Sequence, residues 1–508
     1  MGATYSTPSS SSSSSDEKSG LAQQTTRKSQ IARQELDESV LAAPPPPYPA
    51  PERVLTLTLP RVKGWNQTLL SDPKNRLAIS SFASQPYTQI LTDHNALQSD
   101  LHIFNLTVPI EGAPITNQRS SGRCWLFAAT NVFRVPLMKA YRLPEFELSQ
   151  AYLFYWDKIE KANYFFEQII ATAHEDLSGR LVQKLLEDPV TDGGQWDMVA
   201  NLVRKYGLVP HALYPDSFHA QNSSKMNWLL TAKLREQALV LRRLVAREEG
   251  TLAVTKDKFL QEIHSIVTLL LGPPPSPDEP FVWQYYDGQQ TARQVRQTPV
   301  QFAQEALWPG SLSRSRPSMS PGRLFSLVHD PRHEWNQLLT VDKLGNVVEG
   351  RPLTYVNVEI DTLKTAMIAM LKAGHPVFFG CDVGKFSNQD SGVLDADITD
   401  LTLGFNISLG MNKAERLASG ESSMTHAMVI TGVHLDPLAG GKPVRWRVEN
   451  SWGEAAGNKG WFVMTDKWME EYTFQAVVDS NFVSADIRAI LDQTPTVLPR
   501  WDPMGVLA

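Results

Sequence analysis

Apolar residues recur three and four positions apart through "SQAYLFYWDKIEKANYFFEQIIATA", which starts at Ser149, and again through "WDMVANLVRKYG", which ends at Gly207. That spacing lays a continuous stripe along one face of a helix, and a glycine just past the stripe suits a helix stop. The run "WLFAATNVF" after Cys124 is of the same kind, so residues 120 to 245 predict mostly helix. Two further long amphipathic stretches fill residues 225 to 272, and "GPPPSPDEP" then breaks the pattern as a loop. From about residue 353 the pattern changes. "TYVNVEI", "HPVFFGCDV", "HAMVITGVHL", "RWRVENSW" and "KGWFVMT" are short, rich in β-branched and aromatic residues, and read as strands. Helices first and strands later predict an α+β arrangement of two lobes meeting at a cleft. No internal repeat is visible.

The front of the chain lacks any such pattern. A serine run from Ser9 to Ser15 leads through mixed charges to "AAPPPPYPAPE", Ala42 to Glu52. Such a segment cannot bury enough apolar surface to offset its ordering entropy, so residues 1–63 are expected to be a disordered tail and a stiff proline-rich linker. The remainder, 64–508, is expected to fold. The opening "MGATYS" fits the pattern for N-myristoylation at Gly2, with Ser6 in the required place. A mitochondrial presequence is the rival reading, against which Asp16 and Glu17 stand.

Composition adds bounds rather than direction. Over 508 residues, 42% hydrophobic and 20% charged content is the profile of a soluble globular protein, and no apolar run approaches the ~20 residues of a membrane span. A net charge of -6 gives no global attraction to nucleic acid or an acidic membrane. Two cysteines, Cys124 and Cys381, cannot build a disulfide framework or a zinc site, which favours a reducing compartment. The sequons at Asn66, Asn105, Asn222 and Asn406 are read as chance, since no apolar signal segment precedes them.

The candidate chemistry centres on Cys124, placed between the turn "SSGR" and an apolar helix. The free N–H groups and dipole of a helix start lower a thiol pKa, and Arg123 would add positive charge. A lone cysteine in such a place is more often packing than chemistry, so its partners decide. His426, in "MTHAMVITG", precedes an apolar strand and can stand at the rim of a cleft. Asn450 ends "RWRVEN", where alternation puts it on one face with Trp446 and Val448. Its amide oxygen can accept the proton of the far imidazole nitrogen, and Trp452 can shield that bond from water. Against this stand a surface histidine and an ordinary turn at "NSWG".

"NQRSSGRCWLFAAT", "THAMVITG" and "VENSWG", in that order, resemble the papain superfamily of cysteine peptidases. The interval from Cys124 to His426 is far longer than in papain itself and resembles the bleomycin hydrolase branch. The resemblance runs from roughly residue 64 to the end, through "DGGQWDM", "SLVHDPRHEW" and the terminal "LPRWDPMG". It implies a papain-like two-lobed fold, with a helical lobe about 110–222 and a large helical insertion about 223–350. A β-barrel-like lobe about 351–490 and a C-terminal arm 491–508, lying in the cleft, would follow. It also implies Cys124 as nucleophile, His426 as general base and acid, and Asn450 as the orienter of His426. Gln118, with the backbone N–H of Cys124, would form the oxyanion hole, and Gly193 and Gly194 would line the substrate channel beside Trp452. Ala508 would offer its carboxylate to the free amine of a short peptide. The implied enzyme is a cytosolic cysteine aminopeptidase, with a mitochondrial fraction, that needs no metal or other cofactor and also hydrolyses amide-bearing drugs and thiolactones. Its resting state would be a thiolate and imidazolium pair. The family's hexameric ring would draw on residues 225 to 272 for contacts, and Cys381 matches no catalytic motif. The alternative, a nucleic-acid-binding ring, finds no basic run and an acidic net charge against it.

Overall fold

The computed structural model describes residues 56–99, 101–307 and 322–507. Gly2, the serine and proline segments and Ala508 lie outside the described residues. The chain divides into two compact units, Met1–Pro73 and Lys74–Ala508. In the first, the helix Leu59–Ser71 starts inside the stretch expected to be linker and buries none of its residues. Pro60 in its first turn pre-sets the helical φ, and Val62, Trp65 and Leu69 follow at helical spacing.

The second unit opens its core on two helices. Cys124–Tyr141 is buried along nearly its whole length, through Trp125, Phe127, Phe133 and Leu137. Gln150–Ala171 starts where the Ser149 hydroxyl accepts the Tyr152 N–H at 3.0 Å, a side-chain N-cap. Trp196–Tyr206 ends at Gly207, whose φ of +76° and tight seat against the Pro299 backbone exclude a side chain. Ser224–Ala246 and Leu252–Leu271 form the two amphipathic helices of the following segment.

In the helical insertion expected over about 223–350, the long helices end at Leu271. A hairpin, Phe281–Tyr286 with Ala292–Gln297, and the helix Pro299–Leu307 come next. Leu324–Val328 and Gln337–Val341 then join the main sheet. "LFSLV" is buried at every position, Ser326 included, and so short a buried run carries no period that separates strand from helix.

The main sheet runs as an open path, so the β-rich lobe does not close into a barrel. Its centre is Thr473–Asp479, Val377–Cys381, His426–Asp436, Lys442–Glu449 and Trp461–Thr465, paired antiparallel. The C-terminal arm is also more regular than its prolines suggest: Thr496–Leu498 pairs parallel with Gln337–Val341. Arg134 ties the helix Cys124–Tyr141 to the sheet. Its buried guanidinium donates to the Glu449 carboxylate at 2.5 Å and to the Pro114 carbonyl at 2.7 Å. None of the described helices is long and apolar enough to cross a membrane.

Candidate active site

Cys124 is the first residue of its helix and is 2% exposed. The unpaired N–H groups of Cys124 and Trp125 reach its sulfur, as does the backbone N–H of Ala427, the neighbour of His426 in the adjoining strand. Helix start and strand start therefore converge on one thiol. These contacts pull the thiol pKa down, but burial outweighs them and pushes it up to about 11. Arg123 does not help. Its guanidinium is fully buried and forks onto the Asp216 carboxylate at 2.8 and 2.7 Å, so its charge is already balanced.

His426 opens the strand His426–Asp436, and its Nε2 lies 2.9 Å from Asn450 Oδ1. The same oxygen accepts the Ser451 N–H at 2.8 Å, which fixes the amide with its oxygen toward the ring. Nε2 must then carry the hydrogen, leaving the Nδ1 lone pair to act as acceptor. The Trp452 ring covers the imidazole, centroids 4.9 Å apart. Burial drives the imidazole pKa down to about 4, against the partial support of Asn450. Burial thus disfavours the charged form of both the thiol and the imidazole when each is taken by itself. Desolvation of both groups is the cause.

Gln118 lies on the strap leading to the cysteine, held to the "ENSWG" loop by its N–H on the Ser451 carbonyl at 2.8 Å. Its Nε2 donates to the Ser121 carbonyl at 2.7 Å, and its Oε1 accepts the Ser451 hydroxyl at 2.7 Å. A carboxamide has two N–H hydrogens, so one remains for an incoming oxyanion. Ser451, which the sequence reading missed, touches both Gln118 and Asn450. The only signal for it was its place between Asn450 and Trp452.

Gly193 and Gly194 lie on a loop fastened from below. The Asp192 carboxylate accepts the Gly122 N–H at 3.0 Å, Lys158 at 2.7 Å, Asn227 at 2.8 Å and the Ser223 hydroxyl. These bonds hold its carboxyl well below the usual carboxylate range despite the opposing pull of burial. The Asp192 carbonyl accepts the Trp125 indole N–H at 2.6 Å. A methyl group at Gly194 would meet the Trp125 ring at 2.5 Å, so only glycine closes this contact.

The arm reaches the same loop. Gln195, directly after the glycine pair, donates from Nε2 to the Val506 carbonyl at 2.8 Å. Further back, Arg332 bridges Asp502 and Asp330, and Arg180 lies over the Trp501 ring at 4.3 Å. The proposed role of Ala508 falls outside the described residues, but Val506 and Leu507 bring the arm beside the glycine pair. Cys381 is fully buried opposite His426 in the strand register. Among the described residues no group of three or more His, Cys, Asp or Glu could hold a metal ion.

The model of the Peptidase C1-like family matches residues 56–505. A bleomycin hydrolase of Mus musculus is 44% identical over 456 residues, 88% of this chain and 98% of the relative. "Cysteine proteinase 1, mitochondrial" of Saccharomyces cerevisiae strain YJM789 is 40% identical over 474 residues, 90% of this chain and 95% of the relative. The crystal structure of PepW from Lactobacillus rhamnosis HN001 matches with a TM-score of 0.84 at 37% identity, covering 89% of this chain and all of PepW.

Proposed function

The chain belongs to the Peptidase C1-like family and is a cysteine peptidase, and from that premise we propose that it is an aminopeptidase for short peptides that also hydrolyses bleomycin and thiolactones. The observation that carries the exopeptidase reading is the Gln195 bond to Val506, which holds the chain's last turn beside the glycine pair. A segment seated there blocks one direction of the cleft, and a carboxylate at its end would pair with a substrate's free amine.

The proposed chemistry assigns each of these residues a step. The Cys124 thiol gives its proton to Nδ1 of His426 as sulfur attacks the scissile carbonyl carbon. The resulting oxyanion takes hydrogen bonds from the Cys124 N–H and the spare N–H of Gln118. His426, now an imidazolium held by Asn450, passes that proton to the leaving nitrogen; the C–N bond breaks, leaving a thioester on Cys124. Water then attacks the thioester as His426 takes one of its protons. The C–S bond breaks, and the proton returns to sulfur.

Exposed Trp228, Leu229, Leu239 and Leu269 on the two long helices support the reading of a homohexamer. Two unpaired cysteines and the name of the yeast relative support a cytoplasmic enzyme with a mitochondrial share. The test compares one short peptide with a free and with an acetylated N-terminus. The wild type should cleave only the free form, and Gln195→Ala, which removes the bond between the glycine loop and the end of the arm, should gain activity on the acetylated one. Equal cleavage of both forms by the wild type would refute the aminopeptidase reading, and retained turnover by Cys124→Ala would refute the peptidase site.

A further inference from the structure

Lys161 stands on the helix Gln150–Ala171 with its side chain 4% exposed. Its ammonium donates to the Gly193 carbonyl at 2.7 Å and the Thr191 carbonyl at 2.9 Å, and pairs with Asp157 at 2.6 Å. Those three acceptors use all three of its hydrogens. It also lies 5.1 Å from the centroid of the Trp125 ring, whose face is what excludes a side chain at Gly194. Cation, indole and glycine are therefore stacked directly beside the nucleophile.

This arrangement has a directional consequence. The only cis peptide among the described residues is Ala113–Pro114, so the Gly193–Gly194 bond is trans. In a trans peptide the carbonyl of one residue and the N–H of the next point to opposite sides of one rigid plane. Lys161 draws the Gly193 carbonyl toward the helix, and the Gly194 N–H is thereby turned away from it. Among the described residues, that N–H donates to no acceptor. A glycine peptide would otherwise rotate freely, since neither residue has a Cβ to restrict it.

We propose that Lys161 is a positioning residue that fixes the Gly193–Gly194 peptide plane, so that the Gly194 N–H is presented to an extended backbone in the cleft. The proposal rests on the reading of the glycine pair as the channel wall and adds the group that sets its orientation. Lys161 touches neither the reacting atoms nor the imidazole. Its Asp157 partner is fully buried, which makes the pair a poor source of stability and leaves orientation as its contribution. The occupant recognised is peptide backbone, from a substrate or from the arm itself.

The test uses the full chain. Asp157→Asn with Lys161→Met removes both charges together and leaves no unpaired ion, while Lys161→Gln keeps a side-chain N–H for a carbonyl. Three readouts are taken: kcat and KM on a free-amine peptide, the rate of Cys124 alkylation by iodoacetamide, and the melting temperature. Loss of one oriented backbone hydrogen bond should raise KM about tenfold in the double variant, with kcat and alkylation each within about threefold of wild type. Lys161→Gln should recover part of the KM. An unchanged KM in the folded double variant would overturn the proposal, as would kcat and alkylation falling together, since Lys161 would then act on the nucleophile through Trp125. If the double variant does not fold, Lys161→Gln is judged by the same criteria against wild type. A wild-type enzyme that turns over no free-amine peptide would instead overturn the peptidase reading beneath it, before any variant is compared.

Discussion

His426 and Asn450 share one hydrogen bond, Nε2 donating to Oδ1 across 2.9 Å, and that bond leaves Nδ1 as the imidazole nitrogen free to accept a proton. Removing the acceptor with Asn450→Ala frees the ring to rotate and to change tautomer. We expect kcat to fall on the order of 10²-fold with KM little changed. Asn450→Asp keeps an oxygen at that place and adds a negative charge beside the ring, so it should retain more activity and move the acid limb of the pH profile upward. Steady-state kinetics on a fluorogenic aminoacyl amide would check both, and equal loss in the two variants would mean that the oxygen does not orient His426.

The pH dependence of stability follows from two buried groups of opposite sign. His426 titrates at about 4 in the folded chain against 6.5 when exposed, so between these values the unfolded chain binds a proton that the folded one refuses. Stability is therefore lost as pH falls from 6.5 toward 4. Cys124 is raised from 9.0 to about 11, so the unfolded chain releases a proton first and stability is lost as pH rises from 9.0 toward 11. Their joint contribution is greatest between these windows. Thermal melts across the range should show the alkaline slope shrinking in Cys124→Ala and the acid slope shrinking in His426→Ala. A slope that persists unchanged in its own variant would assign it to other groups.

Much of this site was legible because the sequence carries its local causes. Cys124 had to open a helix, since a turn precedes it and an unbroken apolar run follows, and Asn450 had to end a strand whose alternation is visible. What escaped were partners brought in from elsewhere in the chain. Arg123 read as a charge beside the thiol because nothing local announced that Asp216 would neutralise it. The depressed thiol pKa was expected from the helix start alone, while the burial that reverses it is a property of the assembled core. Nothing in the local pattern marked Lys158 and Lys161, yet both are buried and hold a loop more than twenty residues further on. Leu324–Val328 was lost inside an expected helical segment because a strand buried at all five positions, Ser326 included, shows no alternation of apolar and polar residues.

Ser451 links the two halves of the machinery and gives the next prediction. Its hydroxyl reaches the Gln118 carboxamide oxygen at 2.7 Å, and its N–H reaches Asn450. Ser451→Ala removes only the first of these bonds, leaving the Gln118 amide free to turn from the direction in which its spare N–H serves an oxyanion. One neutral buried hydrogen bond is worth about 1 kcal/mol, so kcat should fall roughly fivefold while the iodoacetamide reaction of Cys124, which forms no oxyanion, keeps its rate. If alkylation slows equally, the hydroxyl acts on the thiol or on the fold, and its link to the oxyanion hole fails.

Arg134 and Glu449 supply the test of how the two lobes are held in register. The guanidinium is buried between the helix that Cys124 opens and the strand that leads to Asn450, with further bonds to the Pro114 and Phe146 carbonyls at 2.7 and 3.3 Å. A methyl group at Gly112 would meet it at 2.3 Å, so the fold closes tightly around it. Arg134→Met removes the cation and leaves a buried carboxylate unpaired, which typically costs about 3–5 kcal/mol. Burial already pushes the Glu449 carboxyl above its ordinary range, and loss of the Arg134 charge would push it further up. Pairing Arg134→Met with Glu449→Gln should then recover a large part of the lost stability. Chemical denaturation of the two variants at neutral pH decides the matter. Equal instability in both would show that the lost carbonyl bonds, rather than the stranded charge, are what the lobes depend on.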